Sequence, residues 1–147
     1  TLMLSFEFFP PKTQESVASL LTAARSLAGY DPNFMSVTFG AGGSTRSGTI
    51  ETVAMLQSQT GLNIAPHLSC IGSTTEEIED ILDQYQSMGV RRLVALRGDM
   101  PSGMVNAGTF HYASELVKLI RQKTGDYFHI EVAAYPEFHP QARSAND

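Results

Sequence analysis

IAPHLSCIGSTTEEIEDILDQYQSMGVRRLVALRGD, residues 64–99, holds two short apolar runs on either side of a helical pattern. Ile64 to Ser69 and Arg92 to Arg97 have the length and composition of strands. Between them Thr74 stands three residues before Glu77, the spacing of a capping box. Ile78, Ile81, Leu82, Tyr85 and Met88 then recur at the three-and-four spacing that gathers them on one helical face, and Gly89 stops the pattern. Strand, helix and strand follow within about thirty residues, the length a parallel crossover requires.

The same unit recurs on both sides. Strands are expected at Leu4 to Phe9, Phe34 to Phe39 and His129 to Tyr135. A first helix carries Val17, Leu20, Leu21, Ala24 and Leu27 on one face, and a second runs from Thr49 to Thr60 with Gly61 as its stop. A fourth carries Tyr112, Leu116, Leu119 and Ile120 and ends among Lys118, Arg121 and Lys123, which suit the negative end of the helix dipole, before Gly125. Five strands alternating with four helices define an α/β layer architecture with a parallel sheet, and no linker or low-complexity stretch divides it.

Composition narrows the function. The chain has 147 residues, long enough for one core, and a formal net charge of -5. An acidic chain offers no basic surface for a phosphate backbone or an anionic membrane, so no nucleic acid and no membrane are expected as partners. No apolar run approaches the roughly 20 residues of a membrane helix, and the start lacks the layout of a signal peptide. Cys70 is the single cysteine, which excludes an internal disulfide and fits a reducing compartment, so a cytoplasmic protein is expected. The sequence begins at Thr1 and stops after a proline-rich stretch, and both ends read as cuts.

Alternation along each strand separates an apolar from a polar parity. Leu4, Phe6 and Phe8 oppose Ser5 and Glu7; Met35, Val37 and Phe39 oppose Ser36 and Thr38; Ile64, Pro66 and Leu68 oppose Ala65, His67 and Ser69. Ile130 and Val132 oppose Ala133 and Tyr135, and the fourth strand is expected to follow suit through Arg97 and Asp99. Polar residues sit late in the strands. In a (β/α)8 barrel Glu7, Thr38, His67, Arg97, Asp99 and Tyr135 would converge at the mouth. A doubly wound sheet also binds ligands at carboxyl strand ends, so the pattern leaves both folds open.

Individual motifs are weaker. Gly40-Ala41-Gly42-Gly43-Ser44-Thr45 follows a strand and precedes a helix, but it lacks the Gly-Lys-Ser/Thr ending of a P-loop, and Thr45 replaces the last glycine of the dinucleotide fingerprint. It reads better as a flexible turn. Arg97-Gly98-Asp99 has the composition of an adhesion tripeptide but ends a buried-looking strand; a structural ion pair and a site role both stay open. Glu7 lies among Phe6, Phe8 and Phe9, a setting that could desolvate its carboxyl toward use as a general acid, or leave it simply solvated at the mouth. His67, His111, His129 and His139 show no metal-ligand spacing, so no metal is expected. Tyr135-Pro136-Glu137-Phe138-His139-Pro140 reads as a stiff rim turn.

Five segments in order, Ser5-Phe6-Glu7-Phe8-Phe9-Pro10-Pro11-Lys12, Ser36-Val37-Thr38-Phe39-Gly40, Ala65-Pro66-His67-Leu68-Ser69-Cys70, Ala95-Leu96-Arg97-Gly98-Asp99 and Ala133-Ala134-Tyr135-Pro136-Glu137-Phe138-His139-Pro140, together resemble the methylenetetrahydrofolate reductases. The first and last are the specific ones, and the set spans nearly the whole chain. The resemblance implies a (β/α)8 TIM barrel, here its first five strands and four helices, with residues 1–147 forming part of an FAD-binding catalytic domain truncated at both ends. It implies FAD as cofactor, NADH or NADPH as co-substrate, and reduction of 5,10-methylenetetrahydrofolate to 5-methyltetrahydrofolate in one-carbon metabolism and methionine biosynthesis.

Carried over by position, Thr38, His67, Arg97, Gly98, Asp99, Tyr112, Ala113, Tyr135, His139 and Ala142 would contact FAD. Glu7 would be the acid that protonates folate N10, and Asp99 the carboxylate near flavin and pterin. The rivals are another flavin barrel, such as a proline-oxidising enzyme, and a flavin or folate binding module without turnover. A full barrel takes about 250 residues, so this piece alone is expected to be inactive and to aggregate, and the full-length protein to be a homo-oligomer.

Overall fold

The computed structural model describes residues 3–39, 46–99 and 108–134. Its elements are β1 (Ser5–Phe8), α1 (Gln14–Ala28), β2 (Phe34–Val37), α2 (Arg46–Thr60), β3 (Ile64–Ser69), α3 (Thr75–Ser87), β4 (Arg92–Leu96), α4 (Ala113–Thr124) and β5 (His129–Val132).

Helix starts are set by local hydrogen bonds. Thr74 and Glu77 form the expected capping box: the Glu77 N–H donates to Thr74 Oγ1 at 3.2 Å and the Thr74 N–H to Glu77 Oε2 at 2.9 Å. These bonds, with the Arg46 guanidinium, hold the Glu77 carboxyl below its ordinary range. At α1 the partner is Ser16, whose Oγ accepts the Thr13 N–H at 2.9 Å while its own N–H donates to Thr13 Oγ1. Glu115 in the first turn of α4 accepts the N–H groups of His111 and Tyr112. At the other end of α4 the Arg121 guanidinium donates to the carbonyls of Gly125 and Phe128, tying the connection into β5 back onto the last turn of the helix.

Some boundaries differ from expectation. β1, β2 and β4 stop one or two residues early, although single bonds such as Thr38 N–H to Phe8 O at 2.9 Å continue the ladder past them. β5 ends at Val132, and Tyr135 lies outside the described residues. α2 begins one turn before Thr49, whose buried hydroxyl donates to the Thr38 carbonyl at 3.0 Å instead of marking a helix start. Tyr112 precedes α4 and is 61% exposed, so it does not belong to the apolar face made by Leu116 and Ile120.

All four pairings are parallel and the strand order is β1-β2-β3-β4-β5. A doubly wound sheet reverses its order at a switch point; this one does not. One parity of each strand enters a single core with the helices: Phe8; Met35 and Val37; Ile64 and Leu68; Leu93 and Ala95, joined by Ala24, Val53, Leu56, Ile78, Leu82, Leu116 and Ile120. Helices on one face of an unreversed sheet make the wall of a (β/α)8 barrel. Staggered pairing agrees with this: β3 pairs with β2 through Ile64–Pro66 and with β4 through His67–Ser69. Pro66, which has no N–H, sits where one ladder ends and the other begins.

Removing the α3 cap tests this local account. Thr74→Ala in the full-length protein is expected to lose about 1 kcal/mol, read as a lower denaturant midpoint at unchanged slope, whereas no loss would mean that the cap is dispensable.

Candidate active site at the carboxyl ends of the strands

The parity that turns away from the helices carries the polar residues. Register places Glu7 level with Ser36 and Ala65, and His67 level with Val94. β1 and β3 flank β2, and their side chains meet across it: His67 Nε2 lies 3.3 Å from Glu7 Oε2. The imidazole is buried and the carboxyl half exposed. Burial pushes the His67 pKa below its ordinary value, with the Glu7 carboxylate partly opposing the shift. The imidazole is therefore neutral at neutral pH, and the pair is a polar contact between a neutral ring and a carboxyl group.

Of the two settings the sequence leaves open for Glu7, desolvated among phenylalanines or solvated at the mouth, the strand builds the second. Phe6 and Phe8 have the opposite parity and pack with the helices, and the Glu7 side chain is 54% exposed. Alternation separates neighbours in sequence onto opposite faces. Beside the pair, Thr38 is buried, and its Oγ1 has no hydrogen-bond partner among the described residues. Its backbone is fixed at both ends, by its N–H to Phe8 and by Thr49 Oγ1 on its carbonyl.

Arg97 stands at the same end of the sheet, one residue beyond β4. It lies near Cys70, whose thiol burial pushes up in pKa while Arg97 acts to lower it. Gly98 then breaks the alternation at φ +84°, and Asp99 is exposed at the rim. The Gly98 turn is set by contact with the protein itself: a Cβ there would lie 2.0 Å from Ser69 Oγ and 2.8 Å from Ile71 Cγ2. Tyr112 and Ala113 open α4 at the same end, where the Cys70 thiol faces the carbonyls of Arg97 and Tyr112 at 3.7 and 4.0 Å.

The structure thus brings Glu7, Thr38 and His67 together, with Arg97, Gly98, Asp99, Tyr112 and Ala113 at the same rim. Tyr135, His139, Ala142 and the glycine-rich stretch 40–45 lie outside the described residues. Two features were not singled out from sequence. Ser69 shares the His67 parity and binds the Arg97 carbonyl, and Arg92, Glu131 and His129 form a charged cluster at the amino end of the same face. Parity held the signal for both. Among the described residues no group of three or more His, Cys, Asp or Glu is placed to hold a metal ion, and no helix is long and apolar enough to cross a membrane.

A family model described as methylenetetrahydrofolate reductase matches residues 1–147. The chain is 44% identical over 142 residues to 5,10-methylenetetrahydrofolate reductase of Escherichia coli (strain K12), covering 97% of this chain and 47% of that one. It is 42% identical to a probable methylenetetrahydrofolate reductase (NADH) of Oryza sativa subsp. japonica, over 95% of this chain and 24% of the relative. With methylenetetrahydrofolate reductase (NADH) 1 of Arabidopsis thaliana it is 42% identical over 97% and 25% of the two chains. Among solved structures, Streptococcus suis SuiB aligns with 88% of this chain and 38% of its own, at 11% identity and a TM-score of 0.47.

Unreversed parallel strands, helices on one face and polar groups gathered at the carboxyl ends define part of the wall of an α/β barrel. The chain belongs to the methylenetetrahydrofolate reductase family, whose fold is a TIM barrel, and spans about half the length of its bacterial relatives and a quarter of its plant ones.

The His67 contact is directly measurable. Followed by NMR in the full-length protein, the imidazole is expected to titrate below its ordinary value of 6.5, and further below in Glu7→Gln, which removes the opposing carboxylate. Because the folded pKa is depressed, its contribution to stability is present above 6.5 and is lost as pH falls toward the folded value. Titration at or above 6.5 would contradict the burial argument.

Proposed function

We propose that this chain is the part of a flavoenzyme that reduces 5,10-methylenetetrahydrofolate to 5-methyltetrahydrofolate, with NADH or NADPH as reductant. Family membership carries the reading, and the Glu7–His67–Thr38 grouping at the strand ends is where it takes chemical form. The names of two plant relatives specify NADH, so NADH is the donor to try first. The rest of the protein completes the barrel, and this segment alone does not turn over.

The residues fit FAD on one structural count. Thr38 Oγ1 is a buried polar atom without a partner on the face shared with His67, and leaving such an atom unpaired costs about 1–3 kcal/mol. A polar atom of a ligand laid across the strand ends would satisfy it. Thr38, His67, Arg97, Gly98, Asp99, Tyr112 and Ala113 would hold the group, together with Tyr135, His139 and Ala142. When bound, FAD would supply the redox chemistry that carries hydride between the nicotinamide and the folate.

Glu7 acts as the general acid. Its carboxyl proton passes to folate N10, the bond from the bridging carbon to N10 breaks, and a cationic iminium is left that can accept hydride. The half-exposed position serves this role, since the proton has to reach a substrate that arrives from the mouth. Asp99, exposed at the rim, sets a negative charge beside that cation and beside the flavin, stabilising the first and making the second harder to reduce.

Addition of NADH to the purified full-length protein is expected to bleach its flavin absorbance, and methylenetetrahydrofolate to restore it. Bleaching without recovery would leave a flavoprotein with another acceptor, such as a proline-oxidising barrel; a protein that fails to bind FAD would end the reading. Glu7→Gln should retain FAD and its reduction by NADH but lose folate turnover by at least about a hundredfold, and normal turnover would remove the acid assignment. Asp99→Asn is expected to raise the flavin midpoint potential, with an unchanged potential counting against its electrostatic role.

A further inference from the structure

The Ser69 hydroxyl is buried at the carboxyl end of β3 and donates to the Arg97 carbonyl at 3.0 Å. That carbonyl also accepts the Ile71 N–H at 2.9 Å, while the Cys70 N–H donates to the Leu96 carbonyl at 3.2 Å. Three consecutive residues of one strand end thus hold the last two carbonyls before Gly98. The backbone ladder accounts for two of these bonds; the Ser69 hydroxyl is the strong side-chain donor on the Arg97 carbonyl, beside the weaker Cys70 thiol at 3.7 Å. Gly98 sits directly on the same hydroxyl, where a Cβ would approach it to 2.0 Å, and turns there at φ +84°.

Asp99 is the next residue, so the direction in which its carboxylate leaves the sheet depends on the Arg97–Gly98 peptide and the Gly98 torsions. We propose that Ser69 is a positioning residue for Asp99: its hydroxyl fixes that peptide so that the carboxylate stands at the rim in one orientation. This rests on the role given to Asp99 in the proposed reaction. Ser69 transfers no proton itself. Its effect passes through the carbonyl it binds, and an electrostatic group displaced by about 1 Å loses much of its value.

The test uses the full-length FAD-loaded protein and compares Ser69→Ala, Ser69→Thr, Asp99→Asn and the double variant S69A/D99N. The flavin midpoint potential and the rate at which methylenetetrahydrofolate reoxidises reduced flavin are read in each. S69A is expected to move the potential in the direction of D99N by part of its shift and to slow reoxidation about fivefold, the scale of one buried hydrogen bond. Ser69→Thr, which keeps the hydroxyl, stays close to the parent. In the double variant S69A adds nothing to D99N.

If D99N moves both readouts and S69A moves neither, the proposal is overturned while the Asp99 assignment stands. Full additivity in the double variant, or equal shifts in Ser69→Thr and Ser69→Ala, overturns it as well, since the hydroxyl would then not act through Asp99. If D99N moves neither, the Asp99 role fails and the proposal fails with it, whereas folate-dependent recovery in the parent separately decides the overall reaction. Ser69→Cys, close in size with a weaker donor, gives the same reading should the alanine variant not fold.

Discussion

Consecutive parallel strands have to be joined across a face of the sheet, and here every crossover helix packs with the same strand parity. That constraint sorts the side chains. Phe8, Met35, Val37, Ile64, Leu68, Leu93 and Ala95 are committed to the helices and form one core with Leu56, Ile78, Leu82, Leu116 and Ile120. The other parity is released from packing against helices and can carry Glu7, Ser36, Thr38, His67 and Ser69. Chemistry and stability therefore occupy alternate residues of the same short strands. The polar face is buried in its own right at Ser36, Thr38, His67 and Ser69, so its groups need partners. Ser69 takes the Arg97 carbonyl and His67 meets Glu7, while Thr38 Oγ1 is the buried side-chain atom left without one among the described residues.

Alternation also explains how far the fold could be read beforehand. Period-two and period-three-and-four patterns are local, so the five strands, four helices and the Thr74 cap could be located from residues alone. Strand order is not local. Nothing in the spacing of Leu4, Met35 or Leu93 says which strands are neighbours, so the patterns alone leave barrel and open sheet open; the family resemblance points to the barrel, and the unreversed pairing agrees. For Glu7 the sequence leaves two settings open, desolvated among phenylalanines or solvated at the mouth, and its half-exposed side chain answers to the second, since alternation sends Phe6 and Phe8 to the other side. The contact between Glu7 and His67 joins residues sixty positions apart on strands that do not pair, beyond any local pattern.

The amino end of the same face is built differently. Arg92 pairs with Glu131, whose Oε1 lies 3.1 Å from His129 Nε2, and the Arg92 guanidinium stands 4.7 Å over the Phe34 ring. These residues open or nearly open β2, β4 and β5, so they cross-link the sheet at the end opposite the mouth. In a barrel that end serves stability while the carboxyl end serves function. A charged cluster within one sheet can accordingly be structural at its foot and chemical at its rim.

Arg46 joins the starts of two helices. It is the first residue of α2, and its guanidinium donates to Ser73 Oγ at 2.5 Å and reaches Glu77 Oε2 at 3.4 Å. Glu77 is at the same time the capping carboxylate of α3. One oxygen atom thus answers both to the helix it begins and to the helix beside it. Sequence drift at residues 46, 73, 74 and 77 is therefore correlated in its energetic effect: a replacement tolerated at one of them depends on what stands at the others.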